Sequence, residues 1–144
     1  MYRKILLALE HTDYDQTLLE YIPPLAALAK SELLLLHVAD GWVARNFKQL
    51  QLAPSEEMHD DWNYLERTAE ALRKFELHVS TRLELGNPPS QIVKVAEQEE
   101  CDLIAMVSHG HRLIGDIIHG STIGAVRHDS KVPVLAIPAN WGAK

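Results

Sequence analysis

The chain has 144 residues, of which 47 % are hydrophobic and 24 % charged, and a formal net charge of −6. That length suits one domain, 1–144, with a substantial core, and the composition excludes disordered and membrane-embedded classes. The negative balance, with the basic residues scattered, argues against nucleic acid as a main partner, because phosphate backbones call for concentrated Lys and Arg.

Met1-Tyr2-Arg3-Lys4 lead straight into the apolar run Ile5-Leu6-Leu7-Ala8-Leu9 without a small-residue cleavage site. No secretory signal is expected, and no apolar run is long enough to span a bilayer. One cysteine, Cys101, permits no internal disulfide and fits a reducing compartment, so a cytoplasmic location is expected.

Ile5-Leu6-Leu7-Ala8-Leu9 reads as a strand buried on both faces, because an unbroken apolar run of that length needs cover above and below. Leu18, Leu19, Ile22, Leu25 and Leu28 then recur with helical spacing, and Pro23-Pro24 is expected to kink or restart that helix. Leu33-Leu34-Leu35-Leu36 is a second buried strand. Residues 41–54 carry Trp42, Phe47 and Leu50 without a clear period, the pattern of a lid, a packed loop or a partner surface.

Trp62, Leu65, Ala69 and Leu72 mark the next helix. Residues 77–85 alternate apolar and polar, as a half-exposed edge strand does. Ile92, Val95 and Ala96 mark a third helix, with Ser90 or Asn87 as its cap. Leu103-Ile104-Ala105-Met106-Val107 is a buried strand, a last helix runs from about Ser121 to Asp129 or Ser130, and residues 132–137 form the final strand. The order predicts an α/β fold: a single open, mainly parallel five-stranded sheet with helices on both faces.

In such a sheet a ligand sits at the carboxyl ends of the strands, where the crossovers change direction. The segment Glu10-His11-Thr12-Asp13 after strand one would there meet Ser108-His109-Gly110 after strand four, with Val38-Ala39-Asp40 as a third wall. Gly110 permits a sharp turn off the strand, and Gly120-Ser121 returns the chain to the same mouth and opens a helix. A helix start offers free N–H groups and a positive dipole end, Ser121 adds a hydroxyl, and Arg112 supplies charge. A phosphate-bearing ligand is the natural guest.

Three histidines, His109, His111 and His119, lie close in sequence, but no metal-ligand spacing accompanies them, and no metal site is expected. No Walker pattern and no Gly-x-Gly-x-x-Gly is present, and Thr122 stands where a Gly-x-Ser-x-Gly elbow needs serine. No residue is assigned to catalysis.

Arranged this way, the chain resembles the universal stress protein family over its whole length. Lys4-Ile5-Leu6-Leu7-Ala8, Leu34-Leu35-Leu36-His37-Val38, Gly86-Asn87-Pro88, Cys101-Asp102-Leu103-Ile104 and Val132-Pro133-Val134-Leu135 carry the resemblance in order. So does Gly110, followed after nine residues by Gly120-Ser121, the second half of the pattern by which one branch binds ATP. The resemblance implies a Rossmann-like, adenine nucleotide alpha-hydrolase-like sheet and a cytoplasmic stress-response protein. It implies ATP or AMP, with or without Mg²⁺, as a regulatory ligand, at most weak ATP hydrolysis, and a homodimer assembled along the last strand.

Carried over residue by residue, Glu10 stands near the base or ribose, the Val38 main chain meets the adenine, and Gly110, Gly120, Ser121 and Thr122 surround the phosphates. Two positions depart from the pattern. Val107 stands where the first glycine of the motif belongs, on the ribose side, and Glu10 replaces the usual aspartate. The alternative is a dimeric interaction module of the same family that binds no nucleotide and presents residues 42–50 to an unidentified protein partner.

Overall fold

The computed structural model describes residues 1–39, 56–109 and 122–142. Along the chain these form β1 (Lys4–Leu9), α1 (Asp15–Ala29), β2 (Glu32–Ala39), α2 (Glu56–Arg73), β3 (Val79–Leu85), α3 (Pro88–Gln98), β4 (Leu103–Ser108), α4 (Thr122–Asp129) and β5 (Val134–Pro138). The strands make one sheet in the order β3-β2-β1-β4-β5, with every pairing parallel.

The apolar runs are unbroken because β1, β2 and β4 are covered on both faces. Alternation along β1 sends Ile5, Leu7 and Leu9 to one face, where they pack with Leu18, Ile22 and Ala26 of α1 and Leu65, Ala69 and Leu72 of α2. Leu6 and Ala8 point the other way and join Leu34, Leu36 and Val38 of β2, Ile92, Val95 and Ala96 of α3 and Val126 of α4. The two-residue period thus distributes one hydrophobic run between two cores. β3 lies at the edge and is half-buried through most of its length, as its alternation predicts.

Pro23 and Pro24 do not restart α1, which is one helix from Asp15 to Ala29. Each proline lacks an N–H and frees a carbonyl four residues earlier, at a cost of about 3 kcal/mol. Leu18 and Ile22 on one side of the pair and Ala26 beyond it are fully buried against the sheet, and burying each larger side chain returns about 1.5–3 kcal/mol. The freed carbonyl of Glu20 belongs to an exposed residue.

Two residues of the expected apolar stripes lie outside them: Leu28 is 85 % exposed and Trp62 is 45 % exposed. Asn87 is the residue before α3, but its side chain makes no capping bond and instead donates to Ser90 Oγ at 2.8 Å. The last strand begins at Val134, two residues later than its apolar run. Among the described residues no helix is long and apolar enough to cross a membrane.

Strand order positions the site. The chain steps outward from β1 through β2 to β3, then crosses back through α3 to β4 on the other side of β1. The crossovers therefore diverge between β1 and β4, and a crevice opens at the carboxyl ends of these two strands.

Candidate functional site

The turn after β1 is organised by a carboxylate. Asp15, in the first turn of α1, is 1 % exposed and accepts the Glu10 N–H at 2.7 Å and the His11 N–H at 2.8 Å. Tyr64 of α2 donates its hydroxyl to the same carboxylate at 2.6 Å. His11 has φ of 60°, a left-handed conformation that a side chain adopts only when its surroundings compensate. The bonds to Asp15 supply that compensation and fix the backbone that presents Glu10. Burial, and then the Asp15 carboxylate, push the Tyr64 phenol above its ordinary value, so it stays a donor.

Between this turn and the ends of β2 and β4 lies a cleft of about 320 Å³, within the range of small-molecule sites. Ala8, Leu36, Val38, Ile92 and Met106 give it an apolar floor, and Glu10, His109 and Thr122 stand among its lining residues. A second recess of about the same volume lies at the opposite end of the strands, where β2 and β3 begin, among Glu32, Arg73, His78 and Ser80. Volume does not separate the two. The first has a continuous apolar floor, a polar rim and a position at the crossover divergence, the attributes of a ligand site.

Glu10 is the one carboxylate among the described lining residues, and His109 Nε2 donates to its Oε2 at 2.7 Å. Tyr14 lies against the His109 ring, with centroids 3.9 Å apart and a tilt of 34°. Burial raises the Glu10 carboxyl above the usual carboxylate value, and the adjacent His109 pulls it partly back.

The folded value lies above the unfolded one, so in the window between them the folded chain keeps a proton that the unfolded chain has lost. The Glu10 contribution to stability is full below the unfolded value and is lost as pH rises through the folded value. A Glu10→Gln variant is therefore expected to show a flatter fall of Tm with pH just above the ordinary carboxylate range. An unchanged slope in thermal melts would show that burial of Glu10 carries no such penalty.

Behind the cleft, on the α1–α2 side, a polar cluster ties α2 to the strand ends. Asp61 is 5 % exposed and meets His11 Nδ1 at 2.7 Å and His37 Nε2 at 3.4 Å. The other nitrogen of His37, Nδ1, bonds to the Leu9 carbonyl at 2.8 Å, and His11 stacks on Tyr64 with centroids 4.1 Å apart. Every buried polar side-chain atom among the described residues has a partner. Among those residues no group of three or more His, Cys, Asp or Glu is arranged to hold a metal ion.

Of the residues singled out in the sequence, Glu10, Val38, Val107 and Thr122 line this one cleft. Val107 is 7 % exposed, and its side chain belongs to the core beneath α1 and α2. Gly110, Arg112, Gly120 and Ser121 lie outside the described residues, as do His111, His119 and the stretch 42–50. His11 belongs to the segment after β1 that the sequence places at the crevice, whereas Asp15, His37, Asp61 and Tyr64 were not anticipated as site residues.

Comparison with known proteins agrees with this architecture. The family model described as universal stress protein family matches residues 1–138. A curated relative, universal stress protein MJ0577 of Methanocaldococcus jannaschii, is 29 % identical over 154 residues, covering 95 % of each chain. The solved structure of MJ0577 matches with a TM-score of 0.74 and 28 % identity over 96 % of each chain. A universal stress protein from Archaeoglobus fulgidus in complex with dAMP shares the fold at a TM-score of 0.69 and 19 % identity, over 94 % of this chain and 98 % of that one. A further structure, of a universal stress protein in complex with cAMP, shares the fold at a TM-score of 0.72 and 16 % identity, over 96 % of this chain and 98 % of that one. By the span of the family match and by its fold, this chain belongs to the universal stress protein family.

Proposed function

We propose that the chain binds an adenine nucleotide, AMP or ATP, in the cleft between β1 and β4, and that occupancy of the cleft serves as a cytoplasmic stress signal. The observation that carries this reading is the combination of an apolar floor with one rim carboxylate among the described residues at the crossover divergence. An adenine ring fits a slot floored by Ala8, Leu36, Val38 and Met106, and ribose hydroxyls are donors matched to Glu10. The phosphates then reach the start of α4 at Thr122, where helix N–H groups and the dipole favour an anion. Gly110, Gly120, Ser121 and Arg112 extend the same reading to residues 110–121.

Two family members of the same fold, solved with dAMP and cAMP, support the ligand class. Val107 supports it as well, because its side chain packs into the core beneath α1 and α2. Mg²⁺ arriving with ATP would meet one carboxylate, Glu10, among the described lining residues. A homodimer along β5 belongs to this reading: the strand ends the sheet, with Val134 and Leu135 half-buried and Ala136 exposed, and self-pairing would cover that edge.

Calorimetric titration of nucleotide-stripped protein with AMP and with ATP tests the proposal. Saturable binding is expected, weakened about tenfold in Glu10→Ala by the loss of a charged hydrogen bond to the ribose. Absence of heat with both nucleotides, together with no thermal stabilisation at millimolar ligand, would refute it.

A further inference from the structure

Glu10 and His109 are the first residues beyond two neighbouring strands, β1 and β4, and their side chains close on each other across the cleft mouth. A carboxylate only accepts, so Nε2 of His109 carries the proton of this bond. Both groups remain reachable, with side-chain exposures of 30 % for His109 and 44 % for Glu10. The backbone beneath Glu10 is held by Asp15, and Tyr14 rests against the His109 ring. The bond thus joins two positioned partners over the entrance to an apolar cavity.

A guest entering that cavity strips water from both groups, and each then needs a partner. Strand order sets what lies where: Val38 is the next-to-last residue of β2, Glu10 follows β1, His109 follows β4, and Thr122 opens α4. On the nucleotide reading, which this inference deepens, the base lies at Val38, the sugar at Glu10 and the phosphate between His109 and Thr122. A ribose brings donors that replace the His109 N–H on Glu10. It brings no anion for the His109 N–H it displaces.

We infer that His109 is a specificity-determining residue whose Nε2–H passes from Glu10 to the ligand's phosphate, so that the cleft selects a phosphorylated nucleoside over the bare nucleoside. The exchange moves one donor between two anionic acceptors, from carboxylate to phosphate, and no covalent bond changes. With AMP both partners of the broken bond are satisfied anew. With adenosine Glu10 is satisfied and His109 is not, and an unpaired polar group in a filled apolar site weakens binding.

The test is calorimetric titration of wild type, His109→Gln and His109→Phe with AMP and with adenosine, with a thermal melt of each variant as a folding check. Wild type is expected to bind AMP at least tenfold more tightly than adenosine. His109→Phe keeps an aromatic ring for Tyr14 but has no donor, and it is expected to reduce that preference about tenfold, because AMP loses its donor and adenosine no longer strands an N–H. His109→Gln keeps an N–H donor and is expected to retain more of the preference than His109→Phe.

Equal losses for both ligands in His109→Phe would make the residue merely structural and overturn the inference, while leaving nucleotide binding intact. An unchanged AMP preference in that variant would also overturn it. Failure of wild type to bind either ligand would overturn this inference together with the nucleotide reading on which it rests.

Discussion

Asp15→Ala is expected to destabilise the protein by about 3 kcal/mol and to weaken AMP binding about tenfold, although Asp15 touches no part of the cleft. The carboxylate accepts three hydrogen bonds, two from the backbone at Glu10 and His11 and one from the Tyr64 hydroxyl, and it is 1 % exposed. Truncation leaves three donors without an acceptor. Each unmet donor costs about 1–3 kcal/mol when it stays buried, and less if the turn opens to water. Relief from burying the charge offsets part of the sum, and loss of an acid in the first turn of α1 adds about 0.3–1 kcal/mol to it.

About 3 kcal/mol is therefore the balance, and for a chain of this size it lowers Tm by roughly 10 °C. The cost is a large share of ordinary stability, which is about 5–15 kcal/mol. Asp15→Asn sharpens the reading, because it keeps one acceptor oxygen but turns an amide donor toward donors. It is expected to recover less than half of the loss in thermal melts. Full recovery would mean that shape, not the carboxylate's accepting capacity, holds the turn.

Val107→Gly is the second large effect, and its sign bears on the function. If a branched residue in place of the first motif glycine obstructed the ligand, restoring glycine would tighten binding. The structure places the Val107 side chain in the core beneath α1 and α2, with 7 % exposure, in company with Leu103, Ala105 and Ile137. Removing it forfeits the burial of a valine, about 1.5–3 kcal/mol, and adds the backbone entropy of a strand glycine, about 0.5–1 kcal/mol. A loss of about 3 kcal/mol in urea unfolding is expected, with AMP affinity changed less than threefold. A variant that bound AMP tenfold more tightly would show that Val107 does narrow the site.

Much of the architecture was legible because it rests on periodicity. Unbroken apolar runs marked β1, β2 and β4, and the alternation in residues 77–85 marked the edge strand. Once β1 and β4 are neighbours, the meeting of Glu10 with His109 follows from where each strand ends. The helices were read less well, and for one physical reason. In α1 the buried stripe is Asp15, Leu18, Ile22 and Ala26, and in α2 it is Met58, Asp61, Leu65, Ala69 and Leu72.

Each stripe therefore includes an aspartate at helical spacing, and a search for apolar residues alone passes over both. Leu28 and Trp62, which such a search admits, are the residues that face water. The signal was present as a carboxylate in register with a buried face. Such a group demands donors from elsewhere, and here His11, the Tyr64 hydroxyl and the backbone of the β1–α1 turn supply them. What spacing does not give is which distant donors arrive, because those contacts join residues 49 and 50 positions apart only after α2 has docked on the sheet.

The central claim is that an adenine nucleotide occupies the cleft at the carboxyl ends of β1 and β4. Two-dimensional amide spectra of the isotope-labelled protein, recorded as AMP is added, test it most directly. Saturable shifts concentrated at Glu10, Val38, His109 and Thr122 are expected, with Glu32, His78 and Ser80 at the opposite recess unmoved. Shifts centred on that opposite recess, or no shifts at saturating AMP, would contradict it.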